Sequence, residues 1–215
     1  MTLQLYFHPF SSFCQKVLIA LYENDTPFEP HIVDFSDPVS AAEFRNLWPI
    51  GKFPVLRDAA KDRLVPESSI IIEYLAQHYP GKTELVPADT DRARQMRLRD
   101  RFFDLYVEVP MQKIVGDRLR PPGKNDPHGV ELAKAQLRTA LDLIEQDMAD
   151  KIWAMGDDFT MADCAAAPAL FYADLVMPFG ETHKIAMAYL RRLHERPSFA
   201  RVGREAAPYR ANFPK

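Results

Sequence analysis

The sequence predicts an α/β unit followed by an all-helical one. Three observations carry that expectation. Residues 1–80 alternate short β-rich runs with segments of helical spacing, a Pro/Gly/polar stretch from Tyr79 to Asp91 then interrupts the pattern, and beyond Arg92 no strand pattern competes with helical periodicity.

Each element follows from its local pattern. Leu3–Phe7 is a short apolar strand, Cys14–Tyr22 has helical spacing, Phe28–Val33 is β-rich and Ala41–Leu47 reads as a short helix. Val55–Asp58 and Arg63–Val65 flank the polar stretch Ala59-Ala60-Lys61-Asp62 as a hairpin, and Glu67–His78 repeats Ile70, Ile71, Tyr74 and Leu75 at helical spacing. The order βαβ then αββα implies a four-stranded mixed sheet with helices packed on it. The predicted organisation is a first domain over 1–80, a linker over 81–91 and a helical domain over 92–215. In the second, Arg92–Arg118 is one long helix, Pro121–Gly129 a loop and Val130–Lys151 a second helix. A third helix begins near Met161, and a fourth spans Lys184–Arg196 until Pro197 ends it. Pro110 and Pro168 fall inside helical segments and are expected to kink them, freeing the carbonyls of Tyr106 and Cys164.

Composition narrows the function classes. A chain of 215 residues, 47% hydrophobic and 27% charged, buries a sizeable core. A net charge of −3 gives no general attraction for a phosphate backbone, so nucleic acid is not an expected partner. Arg92, Arg94, Arg97, Arg99 and Arg101 read as a solvated or subunit-facing helix side. There is no apolar run of roughly 18 residues or more, and the start lacks a basic, then apolar, leader; neither a membrane span nor secretion is expected, and a cytoplasmic address follows by default. The two cysteines, Cys14 and Cys164, lie too far apart for metal-ligand spacing, so no metal is expected, and they make no disulfide framework.

Residues 7–21 carry the first chemical signal. Phe-His-Pro-Phe-Ser-Ser-Phe-Cys runs from a strand end through a Pro-containing turn into an amphipathic helix that begins with hydroxyls. The first turn of a helix offers unpaired N–H donors and the positive end of the macrodipole, which stabilise a thiolate. Position 11 is Ser and position 14 is Cys, giving S-x-x-C where a redox enzyme shows C-x-x-C. A hydroxyl in place of the first thiol suggests that the sulfur arrives with a ligand. Gly51-Lys52-Phe53-Pro54-Val55-Leu56 sets a proline at the head of a strand, where its missing donor is tolerated. Pro66-Glu67-Ser68-Ser69 opens a helix, so Ser68 offers a hydroxyl and N–H to a carboxylate while Glu67 can pair with an ammonium. Thr160 and Asp163 form a capping box variant, with Phe159 and Cys164 at the staple positions.

Taken together these residues resemble the glutathione S-transferase family, and the resemblance covers essentially the whole chain. It implies a thioredoxin-like first domain that binds glutathione as co-substrate, an all-α second domain that adds a hydrophobic substrate site, and a homodimer; detoxification is the family's usual role. Phe53 and Pro54 match its cis-proline motif, Phe53 pairing its backbone with the cysteinyl part of glutathione, and Glu67-Ser68 match the motif that holds the γ-glutamyl end. Ser11 matches the catalytic position, counted back from Val17; Ser12 is second choice because it could equally cap the helix, and Phe13 completes the first turn. Tyr6, His8 and His31 read as strand or surface residues, and Cys14 as a packed thiol. Trp48 stands where the family often has Asn, and Lys52 is the candidate for the glycyl carboxylate. The expected substrate pocket is Phe10, Phe103, Tyr106, Val107, Met111, Phe171 and Tyr172. The activity implied is attack of a glutathione thiolate on a hydrophobic electrophile; alternatives are a thiol transferase or disulfide-bond reductase, and a non-catalytic ligand-binding protein.

Overall fold

Strand alternation in β1 (Leu3–Phe7) buries Leu3, Leu5 and Phe7 on one face and leaves Gln4 and Tyr6 half-covered on the other. The computed structural model describes residues 2–214. β1 is followed by α1 (Ser12–Glu23), β2 (Glu29–Ile32), α2 (Pro38–Leu47), β3 (Val55–Asp58), β4 (Arg63–Pro66) and α3 (Ser68–His78). The sheet order is β2-β1-β3-β4, with β1 parallel to β2 and antiparallel to β3, and β3 antiparallel to β4. This is the expected mixed four-stranded sheet. Packing of α1 and α3 covers its inner face, while Val33, Phe44 and Val55 form a smaller apolar cluster that seats α2 on the other.

Almost every residue of α1 is buried, which an amphipathic helix on a sheet would not require. The reason is a second layer: α1 is covered on its far side by α7 (Met161–Val176) and α9 (Pro197–Ala206). The helical part further comprises α4 (Thr90–Phe102), α5 (Val109–Arg118), α6 (Pro127–Asp147) and α8 (Lys184–Glu195), with a closing 3₁₀ turn at Ala207–Asn212. Among the described residues no helix is long and apolar enough to cross a membrane.

Three expectations need correction. The long helix over 92–118 is not uniform, because Phe103–Glu108 forms a π-helical stretch between α4 and α5, and the N–H of Val109 bonds the carbonyl of Asp104, five residues back. A widened turn just ahead of Pro110 accommodates the ring and the absent donor. Pro168, by contrast, lies inside α7, as expected. The Pro121–Gly129 loop is shorter than expected, since Pro127 is the first helical residue of α6 and Asp126 caps it, accepting from the Gly129 N–H at 2.8 Å. Finally Pro197 ends α8 but also starts α9, in which Phe199, Val202 and Ala206 face the core at helical spacing.

Candidate functional site

The start of α1 is held by its own turn. The Ser11 N–H donates to the His8 carbonyl at 3.0 Å, and the Ser11 carbonyl accepts from Gln15 N–H at 2.8 Å. Ser11 is the N-cap, extended at φ −88° and ψ 126°, yet its hydroxyl makes no capping bond. That hydroxyl lies at the positive end of the helix, within hydrogen-bond reach of the Cys14 thiol. Ser12, one residue on, is buried and donates its proton to Glu108 Oε1. Cys14 is wholly enclosed, and burial pushes its thiol up to about 12, so it is no nucleophile at neutral pH.

The next loop supplies the opposite wall. Phe53–Pro54 is a cis peptide bond, and Glu67 adopts φ +70°. A non-glycine residue in that region is uncommon and persists where the surrounding structure fixes it. Ser68 is the first residue of α3, is buried, and presents an unpaired helix-end N–H. Phe13, Lys52, Phe53, Pro54, Glu67 and Ser68 all line one cavity of about 530 Å³. Its far side is built by α4, the π segment and α5, through Arg97, Arg101 and Gln112 among others. Arg97 is spoken for: it grips Glu73 with two hydrogen bonds of 2.7 and 2.8 Å.

A second cavity of about 410 Å³ adjoins the first and shares Gln112 with it. Ser11, Ser12 and Glu108 lie at its polar edge, and Phe10, Met111, Val115, Leu119, Tyr172 and Phe213 supply apolar surface. The Tyr172 hydroxyl donates to the Phe10 carbonyl at 2.8 Å and fixes that wall. Three of the seven residues expected in the substrate pocket, Phe10, Met111 and Tyr172, are therefore together beside Ser11.

The other four are elsewhere. Val107 is 0% exposed in the main core, and Phe103 is buried there too, its ring near Tyr189 and its edge on a separate groove between α4 and α6. Tyr106 is 57% exposed and packs on Phe102. Phe171 lines a different cleft with His194 and Phe199. An aromatic stripe on one predicted helix could not show which turn faces the first domain, and the π stretch rotates the faces after residue 103 relative to regular helical spacing. Tyr6 stacks on His31 at 4.7 Å in the sheet, and His8 sits against Phe53 and Tyr209.

Sequence reasoning missed a set of polar residues. Lys16, on α1, is 1% exposed and pairs with Asp100 at 2.6 Å and Asp104 at 2.9 Å, while Ser69 of α3 donates to Asp100 at 2.7 Å. Burial raises the Asp104 carboxyl above the usual range, opposed by the Lys16 ammonium. Glu108, 2% exposed, accepts from Ser12 and from Gln112 Nε2 at 3.0 Å. Desolvation lifts its carboxyl from 4.5 to about 7. A signal was present: Asp100, Asp104, Glu108 and Gln112 recur every fourth residue along one predicted helix, which marks a polar stripe on a face.

Comparison with known proteins gives consistent matches. The family description "Glutathione S-transferase, N-terminal domain" matches residues 5–83, and "Glutathione S-transferase, C-terminal domain" matches residues 127–201. A glutathione S-transferase-like protein from Fusarium sp is 34% identical over 148 residues, 69% of this chain and 64% of that protein. Glutathione S-transferase GstB of Escherichia coli is 25% identical over 189 residues, covering 87% of this chain and 91% of that one. A glutathione S-transferase of Methylobacillus flagellatus, solved with glutathione bound, shares the fold with a TM-score of 0.85 at 23% identity, over 93% of this chain and 98% of that one.

Proposed function

The chain belongs to the glutathione S-transferase family and is a glutathione transferase; from that premise we propose that glutathione spans the larger cavity and presents its sulfur to Ser11. Glu67 pairs with the ammonium of the γ-glutamyl end and the Ser68 N–H and hydroxyl receive its carboxylate. Phe53, ahead of the cis Pro54, pairs its backbone with the cysteinyl part, and Lys52 meets the glycyl carboxylate. The observation that carries this reading is that these residues, drawn from three separate segments, line one cavity, which has the lining residue Gln112 in common with the second cavity, bordered by Ser11.

A free thiol near pKa 8.5 is mostly protonated at neutral pH. The Ser11 hydroxyl and the end of α1 stabilise the anion, and the electrophile rests against Phe10, Met111 and Tyr172. In the attack, the sulfur forms a bond to the electrophilic carbon and the leaving group departs with the electron pair of the broken bond. The exposed Ile70, Leu105 and Val109, at the rim of the glutathione cavity, support a homodimer that covers them, and two free, buried thiols suit a reducing cytoplasm.

Titration calorimetry with glutathione and turnover of a chlorinated nitroaromatic test the reading. Ser11→Ala is expected to keep glutathione affinity, raise the pH at which the bound thiol ionises and lower turnover by about tenfold or more. No heat with glutathione overturns the binding site; unchanged turnover in Ser11→Ala moves the sulfur's donor away from Ser11.

A further inference from the structure

A serine hydroxyl has one proton to give, and in Ser12 it is committed to Glu108 Oε1. The lone pairs of Ser12 Oγ are left as acceptors at the edge of the cavity that Ser11 also lines. Glu108, on the last turn of the π stretch, accepts from Gln112 Nε2 on the same Oε1, and its Oε2 is buried without a hydrogen-bond partner. A carboxylate placed in that way is costly, and the cost falls when the acid takes up a proton.

We infer that Ser12 and Glu108 form a proton relay that takes the thiol proton of glutathione, an inference that rests on the binding mode proposed above. The S–H bond breaks, its proton passes to Ser12 Oγ and its electron pair stays on sulfur; at the same time the Ser12 proton passes to Glu108 Oε1. The products are a thiolate and a neutral carboxylic acid. Both hydrogen bonds have then reversed direction, so Ser12 donates to the sulfur and Glu108 donates to Ser12. The negative charge has moved from an enclosed carboxylate to a site at the positive end of α1, where Ser11 donates to it from the N-cap. After the electrophile has reacted and the product leaves, Glu108 returns its proton to solvent.

The surroundings of Glu108 suit an acid that titrates near neutrality. Burial is the largest influence raising its carboxyl to about 7, Asp104 on the preceding turn adds to it, and Ser12, Gln112 and the Lys16 ammonium of α1 oppose it. Tyr172, from α7, lines the same cavity and feels the Glu108 charge, as well as those of Arg210 and Cys14; burial pushes its hydroxyl well above the usual phenol range, so it stays neutral. Glu108 acts through Ser12 and is a positioning residue rather than one that touches the reacting atoms.

The test uses the intact protein first. Glutathione is titrated calorimetrically in buffers of different ionisation enthalpy, while ultraviolet absorbance counts the thiolate formed. Relay to Glu108 requires that well under one proton reach the buffer per thiolate at neutral pH; a full proton released per thiolate overturns it. In E108Q the amide still accepts from Ser12 but takes no proton. Its affinity for glutathione is expected within about twofold of the wild type, with close to one proton released to the buffer per thiolate formed and kcat/KM at neutral pH about tenfold lower. The deficit should shrink as pH rises. A pH profile identical to the wild type overturns the relay and leaves the glutathione site standing, whereas wild-type protein that binds no glutathione removes the binding mode itself. Should E108Q not fold, S12A carries the same expectations.

Discussion

Two cysteines in one chain have equally little chemistry to offer, and for the same reason. Cys14 and Cys164 are both fully enclosed, and desolvation pushes both thiols up, Cys14 to about 12 and Cys164 well above the ordinary value. Native protein is accordingly expected to leave Ellman's reagent unreacted, with two thiols appearing on denaturation; a thiol titrating in the folded state would reopen a redox role for Cys14. The places of Ser11, Pro54, Glu67 and Ser68 in the fold were legible from sequence because each is marked locally, by a helix start, a strand head or an acid next to a hydroxyl. Glu108 was not, because its meaning depends on Ser12, 96 positions away. Local motifs are readable one residue type at a time; a partner brought in by tertiary packing is not.

At the scale of elements the same division holds. All four strands, the helices α1 to α3, α6 and α8, and the starts of α4 and α7 follow from periodicity and punctuation, to within a few residues. What went unread involves proline, whose two uses look alike in sequence: Pro197 and Pro127 start helices at positions read only as a stop and a loop. The capping box at α7 shows how far a local motif reaches. Asp163 is buried, and its carboxylate accepts from the Thr160 N–H at 2.8 Å, the Ala154 N–H at 2.8 Å and the Tyr189 hydroxyl at 2.6 Å. It thereby ties the start of α7 to the preceding loop and to α8. Asp163→Ala strands all three donors in the core, and with a desolvation penalty of about 1–3 kcal/mol for each, partly relieved by water, a loss of roughly 3 kcal/mol is expected. Urea unfolding measures it; a loss below about 1 kcal/mol would mean that these donors find other partners.

The two units of the whole molecule are welded by charge as well as by apolar packing. The buried Lys16, with Asp100, Asp104 and Ser69, joins α1, α3, α4 and the π stretch, and Glu108 extends that polar seam toward the ligand cavities. Such a seam makes stability depend on pH in a direction that can be worked out. The Glu108 carboxyl is raised from 4.5 to about 7 in the folded state, so the folded protein holds this proton more tightly than the unfolded chain. The resulting stabilisation is fully present below pH 4.5 and is lost as pH rises through about 7. For a fully buried group the displacement corresponds to about 3 kcal/mol. Asp104 and Asp163, also raised, act with the same sign, while His8 and His194, lowered by burial, act oppositely as pH falls through the histidine range. All four remain in E108Q, so the difference between the two proteins isolates Glu108. Urea unfolding of both at intervals from pH 5 to pH 8 should show the wild type losing stability relative to E108Q by about 3 kcal/mol across that window. Parallel curves would mean that Glu108 is as acidic in the fold as in the unfolded chain, and so ionised throughout the range in which the enzyme would use it.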